Sequence, residues 1–268
     1  MPTVHSWKPY ASGFLYGPAQ YSDGTAFAPG DTLVFNDGAP STQSASAGVA
    51  SLTTGTYQFN VTGASASLLL VNELLDGASA INVAGPGTLT WTNKGQFVNA
   101  GTIQVGSATT SGTLTYNLFG DGTSNAAAFT NSGTVAVQNN SLMLINPGAI
   151  SSNGGTVFNA VGGVMDVGSG SVLKISTPSG YASGSTIDGA VRNDGLITVG
   201  GAGPAGPKAF LILGTTYDGI GLVSVRGTPG TETPPDTRSV VGGPASGTFD
   251  VASGKVEFDG RANTATVN

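Results

Sequence analysis

The fold of this chain is constrained most by a short motif that recurs four times at a nearly constant spacing. In each copy an aromatic or aliphatic residue precedes an asparagine, a glycine follows, and β-branched residues come next. The copies occupy residues 97–106, 129–137, 158–168 and 191–200. Their glycines, Gly101, Gly133, Gly163 and Gly195, follow one another at nearly equal intervals along the chain. A constant period of roughly 30 residues is the signature of a repeat architecture.

The segments between the motifs carry short β-patterned stretches, so the repeating unit is predicted to be one coil of a solenoid. Three strands of about five residues and three turns use up roughly 30 residues. Neighbouring coils would stack about 4.8 Å apart through parallel backbone hydrogen bonds. We therefore predict an all-β fold, a single parallel β-helix (β-solenoid) with about 31 residues per coil.

Further strands are predicted at comparable places in each repeat, which indicates a second periodic face of the coil. The mostly apolar segment 68–75 is also predicted to be a strand rather than a helix, because it is short and is followed by Asp76-Gly77. The second-face strands are predicted at residues 112–116, 141–145, 171–175 and 209–213.

The composition favours this ordered architecture over disorder. Hydrophobic residues make up 39% of the chain and charged residues only 9%, whereas disorder requires low hydrophobicity together with high net charge. The nine Lys and Arg residues are scattered, which argues against nucleic-acid binding, because that function needs them clustered on one face. The absence of cysteine excludes disulfides and thiolate chemistry.

The asparagine and glycine of the motif are predicted to form a corner between two strands of the coil. Asparagine tolerates the left-handed backbone conformation and glycine adopts it freely. Asparagines stacked in successive coils would also hydrogen-bond along the axis as a ladder. An alternative, in which these amides bind a glycan, stays open. The predicted corner and ladder residues are Asn99, Gly101, Asn131, Gly133, Gly163, Asn193 and Gly195.

Two regions depart from the repeat. Residues 1–30 are rich in aromatic residues and are predicted to form an N-terminal cap over the open edge of the first coil. Residues 227–247 carry four prolines and are predicted to be a loop inserted into the solenoid of residues 31–268. Alternatively, the N-terminal rings form a surface for a ligand or partner. The candidate interaction residues are Trp7, Tyr10, Phe14, Tyr16 and Tyr21.

The pattern Phe-x-Asn-x-Gly-Thr-Ile/Val-x-Val of residues 97–105 and 129–137 resembles the repeats of bacterial secreted β-helix proteins. These are the filamentous-haemagglutinin-type adhesins and autotransporter passenger domains, and the resemblance covers roughly residues 80–220. It implies an extracellular or cell-surface location and a structural or adhesive role. No N-terminal signal peptide is recognisable in the first ten residues, and the apolar runs are too short for membrane insertion.

The sequence offers few groups for catalysis. It contains one histidine, His5, and most of its aspartates precede glycine, a pairing typical of turns. Glycoside hydrolysis needs two carboxylates about 5 to 10 Å apart, and no pattern in the sequence predicts such a pair. We therefore expect a protein that is not an enzyme and has no metal site or cofactor, except for a weak calcium site at Asp121.

Several threonines hint at the regular hydroxyl array that an ice-binding surface needs. Their spacing is not sustained along the sequence, so no such array is predicted. The threonines concerned are Thr88, Thr90, Thr102, Thr113 and Thr115.

These observations favour an extracellular structural or adhesive β-solenoid that assembles end to end into a fibre or a surface layer of the extracellular matrix. Its expected partners are other copies of itself in a head-to-tail arrangement, and glycans or a cell surface. The alternative is a polysaccharide-binding or polysaccharide-degrading β-helix protein of the lyase, hydrolase or tailspike type, because parallel β-helices also carry such enzymes.

Overall fold

The chain forms a parallel β-solenoid in the computed structural model. Every strand pairing in the described residues is parallel, and no helix occurs among them. The structure describes residues 3–6, 12–14, 22–26, 31–35, 42–46, 58–61, 65–75, 79–85, 88–119, 128–147, 156–168, 170–175, 190–200, 209–213, 216–226, 238–241, 248–253, 255–258 and 266–267.

One face of the solenoid, the first face, is a sheet of eleven strands in which each strand pairs with the equivalent strand of the next coil. The strands are, in order, β1 (Val4–Ser6), β3 (Thr32–Phe35), β5 (Gln58–Val61), β7 (Ala80–Val83), β9 (Thr102–Val105), β12 (Thr134–Val137), β15 (Val164–Val167), β18 (Leu196–Val199), β21 (Leu222–Arg226), β23 (Thr248–Ser253) and β25 (Thr266–Val267).

The other strands form the second and third faces. The second face contains β10 (Thr113–Phe119), β13 (Leu142–Pro147), β16 (Val172–Ile175), β19 (Phe210–Leu213), β22 (Arg238–Val241) and β24 (Lys255–Phe258). The third face contains β11 (Ala128–Asn131), β14 (Thr156–Asn159), β17 (Ala190–Asn193) and β20 (Thr216–Asp218). Towards the N-terminus lie β2 (Ser12–Phe14), β4 (Thr42–Ser46), β6 (Ser65–Leu75) and β8 (Thr88–Asn99).

The long strand β8 joins the second and third faces into a single sheet. Its first part pairs with β10, from Thr88 opposite Thr113 onwards, and its last part pairs with β11, ending at Asn99 opposite Asn131. In this coil the chain therefore passes from the second face to the third without leaving the sheet. In the next coils β10 and β11, β13 and β14, and β16 and β17 are separate strands.

This difference explains why the coils are unequal in length. Ile103 pairs with Val135, Val135 with Met165, and Met165 with Ile197, so these coils follow the period of the sequence motif. Ile81, in contrast, pairs with Ile103 across a markedly shorter stretch of chain. The basic coil is thus shorter than the predicted period, and the longer coils carry most of their extra residues between the second and third faces.

The core forms because side chains alternate along each strand between the interior of the solenoid and its surface. In β9 and β15 every second side chain is fully buried and the ones between them are half-exposed, as expected of strands with one face against the interior.

Trp91 lies at the centre of an aromatic cluster, with its ring centroid 5.0 Å from that of Phe97 and 5.3 Å from that of Tyr116. Phe129 of the following coil stacks on Phe97 at 5.3 Å. Aromatic contacts therefore connect successive coils inside the solenoid.

The structure confirms the predicted fold class and strand positions. The second-face strands β10, β13, β16 and β19 lie where the sequence predicts them, and the apolar segment 68–75 lies within β6. In the segment predicted as a cap, β1 pairs with β3 and β2 with β4, so both belong to the stack. In the proline-rich segment 227–247, β22 pairs with β19 and contributes a strand to the second face.

The motif glycines are required by the close approach of two coils, and not by the left-handed backbone that the sequence suggested. None of Gly133, Gly163 and Gly195 has a positive φ. A Cβ atom on Gly133 would lie 2.2 Å from the carbonyl oxygen of Gly101, and one on Gly195 would lie 2.3 Å from that of Gly163. These neighbours are main-chain atoms of the adjacent coil, so they cannot move aside without shifting that coil.

We expect Gly133→Ala to destabilise the solenoid by about 3 kcal/mol, because its methyl group would overpack against a fixed backbone. Gly168→Ala is the matched control, since its Cβ would meet nothing closer than 3.6 Å and its φ is not positive. The control should change the free energy of unfolding by less than about 1 kcal/mol. Chemical denaturation followed by far-UV circular dichroism measures both. Equal stability of the two variants would contradict the steric account.

Candidate functional site

A line of four buried asparagines runs along the corner between the third and first faces. Asn99, Asn131, Asn159 and Asn193 occupy equivalent positions in successive coils, and all four are fully buried. The Nδ2 atom of each donates to the Oδ1 atom of the next, at 2.8 Å in all three steps. The predicted ladder residues therefore lie together, and Asn159 joins them. The sequence did not single out Asn159, because its motif glycine, Gly163, lies further along the chain than in the other copies.

All the ladder amides point the same way along the axis. Each Nδ2 also donates to a main-chain carbonyl of the next coil at 3.1–3.2 Å. Because a carbonyl can only accept, the nitrogen side of every amide faces the C-terminal end of the solenoid. Aligned amides polarise one another, which strengthens each bond in the row. The accepting carbonyls belong to Thr134, Val164, Leu196 and Leu222.

The two ends of the ladder are different. In the preceding coil, the residue opposite Asn99 is Leu75. The buried Oδ1 of Asn99 accepts no hydrogen bond in the described part of the chain. After Asn193 the partner is the phenol oxygen of Tyr217, which accepts from Nδ2 at 3.1 Å. Burial raises the pKa of Tyr217 to about 12. Tyr217 therefore stays neutral far into the alkaline range and ends the ladder as an uncharged acceptor.

The ladder is a structural element and not a binding surface. All four amides have no exposed area, and their nitrogens donate to coil-to-coil partners. A glycan cannot reach them without opening the solenoid, so the alternative in which these amides bind a glycan does not fit the structure. A second buried polar line lies at the corner where the second face begins, where the Oγ of Ser141 accepts from the N–H of Gly112 at 3.0 Å.

Near the N-terminal end, His5 joins three segments of the chain. Its ring is inward and 1% exposed. The Nε2 atom lies 2.9 Å from Asp31 and the Nδ1 atom 3.0 Å from Asp23. The N–H of Thr3 donates to the other oxygen of Asp31 at 2.8 Å. Both nitrogens of the single histidine are thus occupied by contacts that connect β1, the turn 22–26 and the residue before β3.

The turn 22–26 lies against the outer edge of β1. The N–H of Ser22 donates to the carbonyl of Ser6 at 2.9 Å. The hydroxyl of Thr25 donates to Asp23 at 2.5 Å and lies 3.3 Å from Nδ1 of His5. The hydrogen bond from Thr25 is the main cause that lowers the pKa of Asp23. This part of residues 1–30 is therefore placed over the end of the stack.

Two further described carboxylates take part in local contacts. On the outward side of the third face, Arg192 pairs with Asp194 at 2.8 Å and lies 5.4 Å above the ring of Phe158. The bond to Arg192 is the main cause that lowers the pKa of Asp194. On the first face, Asp166 accepts a hydrogen bond from Thr198. No group of three or more His, Cys, Asp or Glu converges on a metal position within the described ranges.

Several of the predicted site residues lie outside the described residues. They include the calcium candidate Asp121 and the aromatic candidates Trp7, Tyr10, Tyr16 and Tyr21. Phe14 is described only as a backbone position in β2.

Outward threonines line up on the second face, although the sequence predicted no such array. Thr88 is opposite Thr113, and Thr90 is opposite Thr115. Thr92 is opposite Asn117, whose Oδ1 accepts from Asn146 at 2.9 Å. Thr102, in contrast, lies on the first face. We call the two outward rows on β8 and β10 the hydroxyl block, which consists of Thr88, Thr90, Thr92, Thr113, Thr115 and Asn117.

Comparison with known proteins yields no match, either to a protein-family model, to a curated protein or to a solved structure. The class that the fold defines is the parallel β-solenoid. Within the described residues, no helix has the length and apolar character needed to cross a membrane.

We expect Asn131→Ala to destabilise the solenoid by about 2–4 kcal/mol, because it leaves the buried Oδ1 of Asn159 without its donor and removes a donor from the carbonyl of Val164. Asn146→Ala is the control, since it breaks an asparagine–asparagine bond of similar length on the outward side. That variant should cost less than about 1 kcal/mol. Urea denaturation measures both, and equal losses would show that burial of the ladder adds nothing.

Proposed function

We propose that this protein is an extracellular, non-catalytic β-solenoid with a structural or adhesive role, whose copies assemble end to end into a fibre or surface layer. The observation that carries this proposal is the uninterrupted parallel stack of the first face, from β1 at one end to β25 at the other. Every strand in it pairs in the same sense, so a second copy in the same orientation would continue the stack. Such a head-to-tail contact does not close on itself and produces filaments.

The edge of β1 supports this arrangement in detail. In a parallel pair, alternate residues of a strand direct both backbone groups to the same neighbour. The N–H of Thr32 donates to the carbonyl of Thr3. The backbone groups of Thr3 and His5 therefore point towards β3, and those of Val4 point towards the opposite edge. The side chain of Val4 is 62% exposed. Among the described strands none lies opposite this edge of β1, and an edge strand of this kind is a template for pairing with another chain.

The non-catalytic role is supported by the use that the described residues make of their polar groups. The single histidine is held between two aspartates, and the buried amides are bonded between coils. The extracellular setting is supported by the resemblance of the repeats to secreted β-helix proteins. A charged fraction of only 9% also limits the repulsion between stacked copies.

The adhesive part of the proposal rests on the hydroxyl block. Its rows are about 4.8 Å apart and its alternate residues about 6.7 Å apart, as in any parallel sheet. No ionisable side chain interrupts it, and threonine side chains have few χ1 rotamers, which limits the orientations of the hydroxyl groups. A neutral polysaccharide, which carries regularly spaced hydroxyl groups of its own, is the ligand that fits an uncharged periodic surface of this kind.

We expect the purified chain to form filaments or soluble head-to-tail oligomers as its concentration rises, as measured by sedimentation velocity and electron microscopy. Val4→Pro should suppress this assembly, because proline removes an N–H group from the outer edge of β1 and leaves the groups that serve β3. Val4→Ala keeps the N–H group and should assemble like the unmodified chain. A strictly monomeric chain at high concentration would refute the assembly, and normal assembly of Val4→Pro would refute the β1 contact.

For the adhesive surface, we expect the double variant Thr90→Ala and Thr115→Ala to bind insoluble cellulose or chitin several-fold more weakly in a pull-down assay. The control is the double variant Thr102→Ala and Thr134→Ala, which removes a register pair of outward threonines from the first face of the same region. Its binding should stay unchanged. Equal binding by both double variants, or none by the unmodified chain, would exclude the hydroxyl block as a polysaccharide surface.

A further inference from the structure

The turn 22–26 occupies part of the edge that end-to-end assembly would need. Its Ser22 N–H donates to the carbonyl of Ser6 at 2.9 Å. By the alternation along β1, the backbone groups of Ser6 face the same outer edge as those of Val4. A strand arriving from a second copy would use the same carbonyl as its acceptor. The turn and the incoming strand therefore compete for one hydrogen-bonding position.

Within the described ranges, few contacts hold the turn in place. All five of its residues are exposed, and its composition, Ser-Asp-Gly-Thr-Ala, offers little apolar surface to bury. Besides the bond to Ser6, its described attachments are the contacts of Asp23 and Thr25 with Nδ1 of His5, at 3.0 and 3.3 Å. Segments with few buried apolar contacts open locally at low free-energy cost. The turn is thus attached firmly enough to cover the edge and weakly enough to be displaced.

His5 stays anchored when the turn leaves. Its other ring nitrogen contacts Asp31 at 2.9 Å, and Asp31 also accepts from the N–H of Thr3. These contacts connect β1 to the residue preceding β3 and do not involve the turn. Release of Asp23 would therefore expose the outer edge of β1 without detaching β1 from β3.

We infer that the turn 22–26 is a built-in cap that competes with a second copy of this chain for the outer edge of β1. This inference rests on the proposed end-to-end assembly and assigns its regulation to a specific contact. A partner copy would supply its β25 edge, which stands at the other end of the first face. The cap keeps isolated copies apart, and assembly begins when the partner's strand replaces the bond from Ser22 to Ser6.

The test uses the full chain and two variants that loosen the turn by different means. The double variant Asp23→Asn and Thr25→Ala weakens the contacts with His5, and Ser22→Pro removes the N–H group that bonds to Ser6. Sedimentation velocity over a concentration series should show assembly beginning at about a tenfold lower concentration in both, as expected when a competing contact is lost. Adding Val4→Pro to either variant should abolish the gain.

Ser107→Ala is the matched control, because it breaks the hydroxyl bonds of an exposed turn in a middle coil. It should assemble like the unmodified chain. Hydrogen exchange reports separately on the turn in the double variant, through the Ser22 amide, and on the β1–β3 pairing in both variants, through the Thr32 amide. Fast exchange at Ser22 with protection at Thr32 is the expected pattern.

The outcomes separate this inference from the proposed function. If the unmodified chain assembles and the variants release the turn without assembling more readily, the cap is refuted and the assembly stands. A turn that stays closed in the double variant would also refute the inference, because its hold would not depend on these contacts. If no form of the chain assembles, including the released variants, the end-to-end proposal itself fails and the cap inference with it.

Discussion

Register between successive coils is the constraint on which the rest of this structure depends. Each strand pairs in parallel with its equivalent in the next coil, and a slip of one residue would turn every inward side chain outward. The ladder of Asn99, Asn131, Asn159 and Asn193 opposes such a slip, because a buried amide displaced from its partner loses several hydrogen bonds at once. The motif glycines allow the coils to approach closely enough for that ladder to form. Specificity of register thus comes from polar groups in the core. The buried apolar side chains supply most of the driving force for folding.

The solenoid keeps this register while the length of its coil changes. The coil from Ile81 to Ile103 is short because β8 runs from the second face to the third without a break. The motif repeats are longer because β10 and β11, or β13 and β14, are separate strands with added residues between them. Added residues at that corner leave the three faces and the ladder in place. A solenoid accepts variation of this kind because each coil contacts only its neighbours. The corner between the second and third faces is therefore one place where this architecture accommodates insertions, and the connection from β18 to β19 shows a second at the corner between the first and second faces.

The chemistry of the molecule divides between its sides and its N-terminal end. Along the sides, the hydroxyl block lies on the outward surface of the second face, and the buried ladder amides are bonded from coil to coil. At the end, His5, Asp23 and Asp31 connect β1 with the turn that crosses its outer edge. In the proposed function, the sides would provide a repetitive surface whose weak contacts add up through multivalency. The N-terminal end would provide the directional contact at which the proposed assembly is controlled.

The fold class, the positions of the second-face strands and the asparagine ladder could be predicted from the sequence, because each of these leaves a local pattern that repeats. The reason predicted for Gly133 and Gly195 was wrong, since only the approach of the neighbouring coil shows that a Cβ atom cannot fit. Two ladder members were missed: Asn159, whose glycine is displaced by a longer turn, and Tyr217, whose phenol ends the ladder in a coil without the motif. The alignment of Thr90 with Thr115 and the contact of Ser22 with Ser6 were missed as well. These features belong to the tertiary structure because they depend on which residues the coils bring opposite each other, and coils of unequal length conceal that register from any fixed period in the sequence.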